Sequence, residues 1–262
     1  MIFRQLFDPE TATYTYLLAD ADSHQALLID PVLEQFDRDR KFLEELELKL
    51  CFTLETHVHA DHVTSADRFR QALGSKVAFS STAQVAAADL GLKHLETLSV
   101  GNVTVQALHT PGHTDGCVTY FCGQAGMAFT GDALLIRGCG RTDFQQGSAE
   151  SLFESVRGTI FGLDDAIQLY PGHDYQGCMM TTVAEEKRFN RRLNEQITES
   201  EFVKIMQELN LPYPKRVDTA VPANLLCGVV VEPLPAAVDL ALGDALKQLG
   251  REAVGFEYGE GI

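Results

Sequence analysis

No stretch of this chain approaches the ~18–20 consecutive apolar residues that a membrane span needs, so no membrane partner is expected. Basic residues are scarce: Lys and Arg total 21 against 37 Asp and Glu, and 21 − 37 gives −16 with His neutral. A field of that sign repels phosphate backbones, so no nucleic-acid partner is expected either. It also means that any anionic small substrate needs a local cluster of cations. The six cysteines (51, 117, 122, 139, 178 and 227) include no Cys-x-x-Cys pair. Cys117 and Cys122 fall an odd number of residues apart in an expected strand, so they face opposite ways and cannot chelate together. The cysteines read mainly as small buried hydrophobes of a reducing compartment. No basic-then-apolar leader and no Ser/Arg-rich transit segment precedes the strand-like sequence near Met1–Phe7, and the expectation is a cytoplasmic protein. Internal repeats and low-complexity segments are absent as well. What is present, 262 residues with 45% apolar and 22% charged side chains, suits one large globular domain or one domain with an appendage.

The patterning predicts a hairpin from Thr13–Leu18 and Ala26–Ile29 around the polar turn Asp20–His24. Phe36, Phe42, Leu43 and Leu46 recur at helical spacing before a strand at Leu50–Leu54. A helix carrying Ala66, Phe69 and Leu73 follows, with Thr64 as its expected N-cap. Further strands are expected at Lys76–Phe79, Val103–Leu108, Cys117–Phe121, Met127–Phe129 and Ile167–Tyr170. Helices are expected at Thr82–Leu90, from Ser148 through Ile160, at Thr181–Leu193, at Glu199–Leu209 and at Ala236–Leu249, with a short strand at Val229–Val231. Strand-rich halves with interspersed helices imply two sheets packed face to face with helices outside, a four-layer α/β arrangement.

The most informative segment is Thr56-His57-Val58-His59-Ala60-Asp61-His62, directly after the Leu50–Leu54 strand. Imidazole and carboxylate bind borderline transition metals, and four such groups in one turn make poor packing because each would need a buried partner. Three more apolar strands end in tight polar turns: Leu108-His109-Thr110-Pro111-Gly112-His113, Ala128-Phe129-Thr130-Gly131-Asp132 and Leu169-Tyr170-Pro171-Gly172-His173. Loops at strand ends on a rigid scaffold are where functional groups concentrate. His24, His94 and His109 match no motif and read as surface or structural.

The order His cluster, Pro-Gly-His, Gly-Asp, Pro-Gly-His resembles the metallo-β-lactamase superfamily, whose fold is an αββα four-layer sandwich of two mixed sheets with helices outside. The resemblance spans roughly Phe3 to Tyr175 and offers seven candidate ligands. In the two-zinc hydrolases of that superfamily, it implies His57, His59 and His113 on one ion, Asp61, His62 and His173 on the other, and Asp132 between them. A metal-bound hydroxide then attacks a carbonyl, as in the glyoxalase II branch acting on glutathione thioesters. The other arrangement needs only His57, His113 and Asp132 around one iron, leaving open positions suited to Fe(II) oxygen chemistry. His59, Asp61, His62 and His173 then orient ligands and hydrogen-bond to what the metal binds. Counting ligands does not separate the two.

The run Leu135–Gly147, with Gly138-Cys139-Gly140-Arg141 at its heart, resembles the persulfide dioxygenase family. So do Leu211–Asp218 and Ala220–Asn224, where glyoxalase II would carry a helical substrate-binding domain. That resemblance implies one Fe(II) per chain and oxidation of glutathione persulfide with O₂ and water to glutathione and sulfite. It also implies a cationic pocket, for which Arg141, Arg192 and Arg216 are the candidates, with Tyr175 and Thr114 as hydrogen-bond partners for the peptide. Cys139 reads either as a redox-sensitive thiol beside Arg141 or as a small residue packing the Gly-Cys-Gly turn. The catalytic domain is expected over 1–228. The remainder, 229–262, departs from the family pattern as an extension that packs on the domain or covers a subunit interface, so the expected partners include a second copy in a homodimer.

Overall fold

The computed structural model describes residues 1–230, and the first compact unit runs from Met1 to Val229. The helix expected at Ala236–Leu249 and nearly all of the 229–262 extension lie outside the described residues. Val229 and Val230 take no strand conformation.

Two six-stranded mixed sheets form the centre. The first runs in the order β1 (Ile2–Asp8), β2 (Thr13–Ala19), β3 (Gln25–Ile29), β4 (Lys49–Leu54), β5 (Lys76–Ser80) and β6 (Leu90–Leu92). The second runs β12 (Thr181–Thr182), β11 (Gln168–Pro171), β10 (Met127–Gly131), β9 (Val118–Cys122), β8 (Val103–His109) and β7 (Thr97–Val100). Side chains alternate across each strand, so β2 sends Tyr14, Tyr16 and Leu18 into the core between the sheets. There they meet Val105, Tyr120, Phe129 and Tyr170 of the second sheet. Leu17 and Ala19 of the same strand point the other way, onto Phe36 and Leu43 of α1 (Phe36–Glu45) and Phe69 of α2 (Ala66–Leu73). On the far side, Ala128 and Leu169 pack on Leu152 of α3 (Ala149–Glu154), Val183 of α4 (Val183–Phe189) and Phe202 of α5 (Glu199–Gln207). Three apolar layers separate four structural layers, as the sequence implied.

The departures have local causes. Thr82–Leu90 is not a helix: Gln84 sits at φ 53°, the Ala87 carbonyl accepts from Arg70, and Asp89 takes the Val77 N–H. The helix opened by Ser148 turns wide after Glu154 and continues as a π-helical turn, Ser155–Ile160. The Thr181–Leu193 helix is shortened, because Thr181 and Thr182 pair with β11 and Asn190 is extended. At α2 the residue in the capping position is Ser65, yet the Thr64 hydroxyl accepts the Ala66 N–H. A short helix that the patterning did not indicate, α6 (Val217–Asn224), closes the described chain. No helix among the described residues is long and apolar enough to cross a membrane.

Strand direction places the site. β8 and β10 both run antiparallel to β9, and β11 runs parallel to β10. The C-terminal ends of β8, β10 and β11 therefore lie together, presenting His113, Asp132 and His173. β4 of the facing sheet delivers the His57–His62 loop to the same end of the sandwich.

Candidate metal centre

His57, His113 and Asp132 each offer one ligand atom, and these atoms lie within 4.8 Å of one another. The backs of both rings are held. His113 Nδ1 donates to the Arg141 carbonyl at 2.6 Å. His57 Nδ1 donates to the Thr56 hydroxyl at 3.0 Å, and that hydroxyl donates onward to Asp30 at 2.7 Å. Such contacts fix the tautomer and turn the Nε2 lone pairs toward a shared point. His57 and Asp132 also carry the right charge. Burial, reinforced by His59 and His113, holds the His57 imidazole pKa well below its ordinary value, so the ring is neutral. Burial would raise the Asp132 carboxyl, but His173, His113 and His57 outweigh it and keep it below the usual carboxylate range.

Two glycines make room for this cradle. A Cβ at Gly140 would stand 2.8 Å from His113 Nδ1, and one at Gly172 would stand 2.7 Å from Asp132 Oδ1. The neutral His57 imidazole, an ionised carboxylate, a second imidazole from His113 and a cradle that side chains would fill all fit a transition metal.

The neighbouring groups divide differently from the two-zinc pattern. His59 clusters with Asp61 and His62 within the same distance limit, not with His57 and His113. Its Nε2 lies 3.1 Å from Asp30 and 3.5 Å from Glu55. Burial works against an imidazolium there, but the two carboxylates prevail and raise its pKa to about 10. His173 spends both nitrogens on carboxylates, Nδ1 on Asp132 at 2.7 Å and Nε2 on Asp61 at 2.9 Å. His59 Nδ1 and His62 Nε2 are buried with no hydrogen-bond partner among the described residues.

The triad opens on a cleft of about 930 Å³. Arg141, Arg192, Arg216 and Tyr175, the residues expected to meet substrate, all line it. Tyr175 is stacked on His173, with ring centroids 6.0 Å apart. Thr114 does not line the cleft. It is buried behind His113, with its hydroxyl and N–H against Cys117 Sγ. Arg216 is held in ion pairs with Glu10 and Glu34, and Arg141 grips both oxygens of Asp143. Cys139 is buried against Met206, and burial pushes its thiol up to about 11 although Arg192 opposes the shift. The packing reading of Cys139 therefore holds.

Sequence reading did not single out Asp30, Glu55 or Asn224. The Asn224 amide donates to the carbonyls of His59 and His62 and accepts the Thr64 N–H, tying α6 to the histidine loop. Asp30 did leave a signal, since Leu27-Leu28-Ile29-Asp30-Pro31 is another apolar strand ending in a carboxylate.

This fold and this site define a class. The model of the metallo-beta-lactamase superfamily matches residues 8–173, and the chain belongs to that superfamily. The mouse protein named persulfide dioxygenase ETHE1, mitochondrial, is 47% identical over 233 residues, covering 89% of this chain and 91% of its own. Its human counterpart is 48% identical over 229 residues, covering 87% and 89%. The crystal structure of ETHE1 from Myxococcus xanthus superimposes with a TM-score of 0.85 at 49% identity, covering 87% of this chain and all of that one. Within the superfamily, the chain is a member of the persulfide dioxygenase family.

Proposed function

We propose that the chain is a mononuclear iron(II) enzyme that oxidises glutathione persulfide with O₂ and water to glutathione and sulfite. In the overall change the sulfane sulfur gives up four electrons, dioxygen takes four, the S–S bond breaks and the thiol departs protonated. The observation that carries the reading is the pairing of a free two-histidine, one-carboxylate triad with a His173 fully engaged by carboxylates. It gains weight from the persulfide dioxygenase activity named for its mouse and human relatives.

His57, His113 and Asp132 would hold the ion. Iron(II) in such a ligand set keeps several positions open and supplies redox chemistry toward dioxygen. The chain's own residues do the rest. Thr56 and Asp30 fix the His57 ring, and the Arg141 carbonyl fixes His113. His173 occupies Asp132 Oδ1, which leaves Oδ2 facing His113. Tyr175 stacks on the His173 ring and lines the cleft.

A second reading has one observation in its favour. The unpartnered nitrogens of His59 and His62, beside Asp61, could hold another ion, as in a two-zinc thioester hydrolase. Elemental analysis with oxygen-electrode assays decides between them. The dioxygenase requires one iron per chain and oxygen uptake that depends on glutathione persulfide. Two zincs, thioester hydrolysis and no oxygen uptake would reverse the assignment.

A further inference from the structure

The cleft wall carries six cations in a chain of formal charge −16, which is the local cluster an anionic substrate needs. Half of that charge is already spent. Arg137 is paired with Glu185 and Glu186, Arg141 with Asp143, and Arg216 with Glu10 and Glu34. Arg191, Arg192 and Lys215 also line the cleft, and none of them meets a carboxylate within ion-pairing distance among the described residues. Arg192 is anchored through one guanidinium nitrogen to the Cys139 carbonyl at 3.0 Å, whereas Arg191 and Lys215 are exposed, with no side-chain hydrogen bond among the described residues.

The acidic side chains of the same cleft have other partners and, among the described residues, do not pair with these three cations. Glu10 belongs to Arg216, Asp61 and Asp132 are held by His173, and Asp174 accepts the backbone N–H groups of Gln176 and Met179. We infer that Arg191 and Lys215, rather than Arg141 or Arg216, receive the carboxylates of the peptide end of the substrate, with Arg192 adding fixed positive charge between the two segments and the triad. The inference rests on the persulfide reading of the site and specifies its specificity determinants. An arginine already gripping an acid must break that pair before it can bind another. An unpaired cation gives up only water, so its contact adds to affinity at lower cost. Because both cations are exposed, they act on encounter and on the Michaelis complex and leave the chemical step alone.

The test compares iron-loaded wild-type protein with Arg191→Ala, Lys215→Ala and the double variant. Oxygen uptake is followed with glutathione persulfide and with cysteamine persulfide, which has no carboxylate. Calorimetric binding of glutathione, the thiol product, is measured in parallel. Each single variant is expected to raise KM for glutathione persulfide about three-fold and the double variant about ten-fold, as exposed charge pairs do, with kcat unchanged. Glutathione affinity should fall in step, and kcat/KM for cysteamine persulfide should not fall. Arg191→Lys and Lys215→Arg should restore most of the loss. Wild-type KM and glutathione affinity in the double variant would overturn the inference, as would equal losses on both persulfides. Failure of the persulfide reading looks different: wild-type protein then consumes no oxygen with either persulfide, while glutathione binding still reports on Arg191 and Lys215.

Discussion

His113 is aimed by a residue 28 positions later in the chain: its Nδ1 donates to the main-chain carbonyl of Arg141 at 2.6 Å. The contact is to backbone, so the identity of side chain 141 does not set it. The path of the Gly138–Arg141 turn does, and that path depends on Gly140, where a Cβ would press on both His113 and the Asp132 carbonyl. A motif that reads as a tight turn in sequence is therefore the support for a metal ligand.

Gly140→Ala is expected to lower metal affinity by about 10–100-fold, the usual cost of disturbing a group that orients a ligand. The fold should survive, since the change is at the mouth of the sandwich. Metal content after gel filtration against a weak chelator, read beside the circular dichroism spectrum, checks both halves. Full iron retention would show that the turn has slack.

The Thr56 hydroxyl links His57 to the buried Asp30. Thr56→Val keeps the shape and removes the link, so iron affinity should drop within the same range of about 10–100-fold, while Thr56→Ser should restore it. Competition with a chromogenic chelator gives the constants. Equal affinity in Thr56→Val and wild type would exclude the relay.

On the proposed assignment, replacing His113 or Asp132 with Ala should abolish stoichiometric iron binding, because each belongs to the three-residue cluster assigned to the ion. His62→Ala should keep near-stoichiometric iron, since its ring faces Asp61 and lies outside that triad. Loss of all metal from His62→Ala would point to a two-metal centre instead.

A pH dependence unrelated to the metal comes from α1. Asp39 is buried with Arg38 as its one side-chain partner among the described residues, and burial raises its carboxyl from 3.8 to about 6 despite that arginine. A carboxyl with a raised folded pKa stabilises the fold in its protonated form, fully below pH 3.8, and that contribution is lost as pH rises through 6. At pH 7.5 the ionised form costs up to about 3 kcal/mol, at ~1.4 kcal/mol per pH unit. Asp39→Asn should therefore melt several degrees higher than wild type at pH 7.5 and show little or no advantage below pH 4. A wild type that is the more stable protein at pH 7.5 would contradict this.

The layers and the converging groups were legible because their signals are short-range. An apolar strand, a Pro-Gly or Gly turn and a polar residue fit within about six positions, and His113, Asp132 and His173 each sit at the end of one, while His57 opens a histidine cluster directly after a strand. The hairpin strand expected at Thr13–Leu18 is β2, which is buried along its whole length. What escaped depends on distance along the chain. Asn224 reaches back more than 160 residues to the histidine loop. The pairing of Arg216 with Glu10 spans 206 residues, so no local pattern could mark that guanidinium as already engaged. The alanine-rich Thr82–Leu90 segment failed in the opposite sense. Its composition favours a helix, but Arg70 and Asp89 draw it into contacts with α2 and β5. Tertiary hydrogen bonds overrode propensity there.

The arrangement of Arg216 with Glu10 and Glu34 bears on how the molecule is made. Every side chain of the triad lies before residue 133, whereas Arg191, Lys215 and the Arg216 clasp come at 191–216. A ribosome working from the amino end thus delivers the three groups of the triad some eighty residues ahead of the clasp that lines the cleft. The nascent chain holds its reactive end before it has a doorway to select what enters.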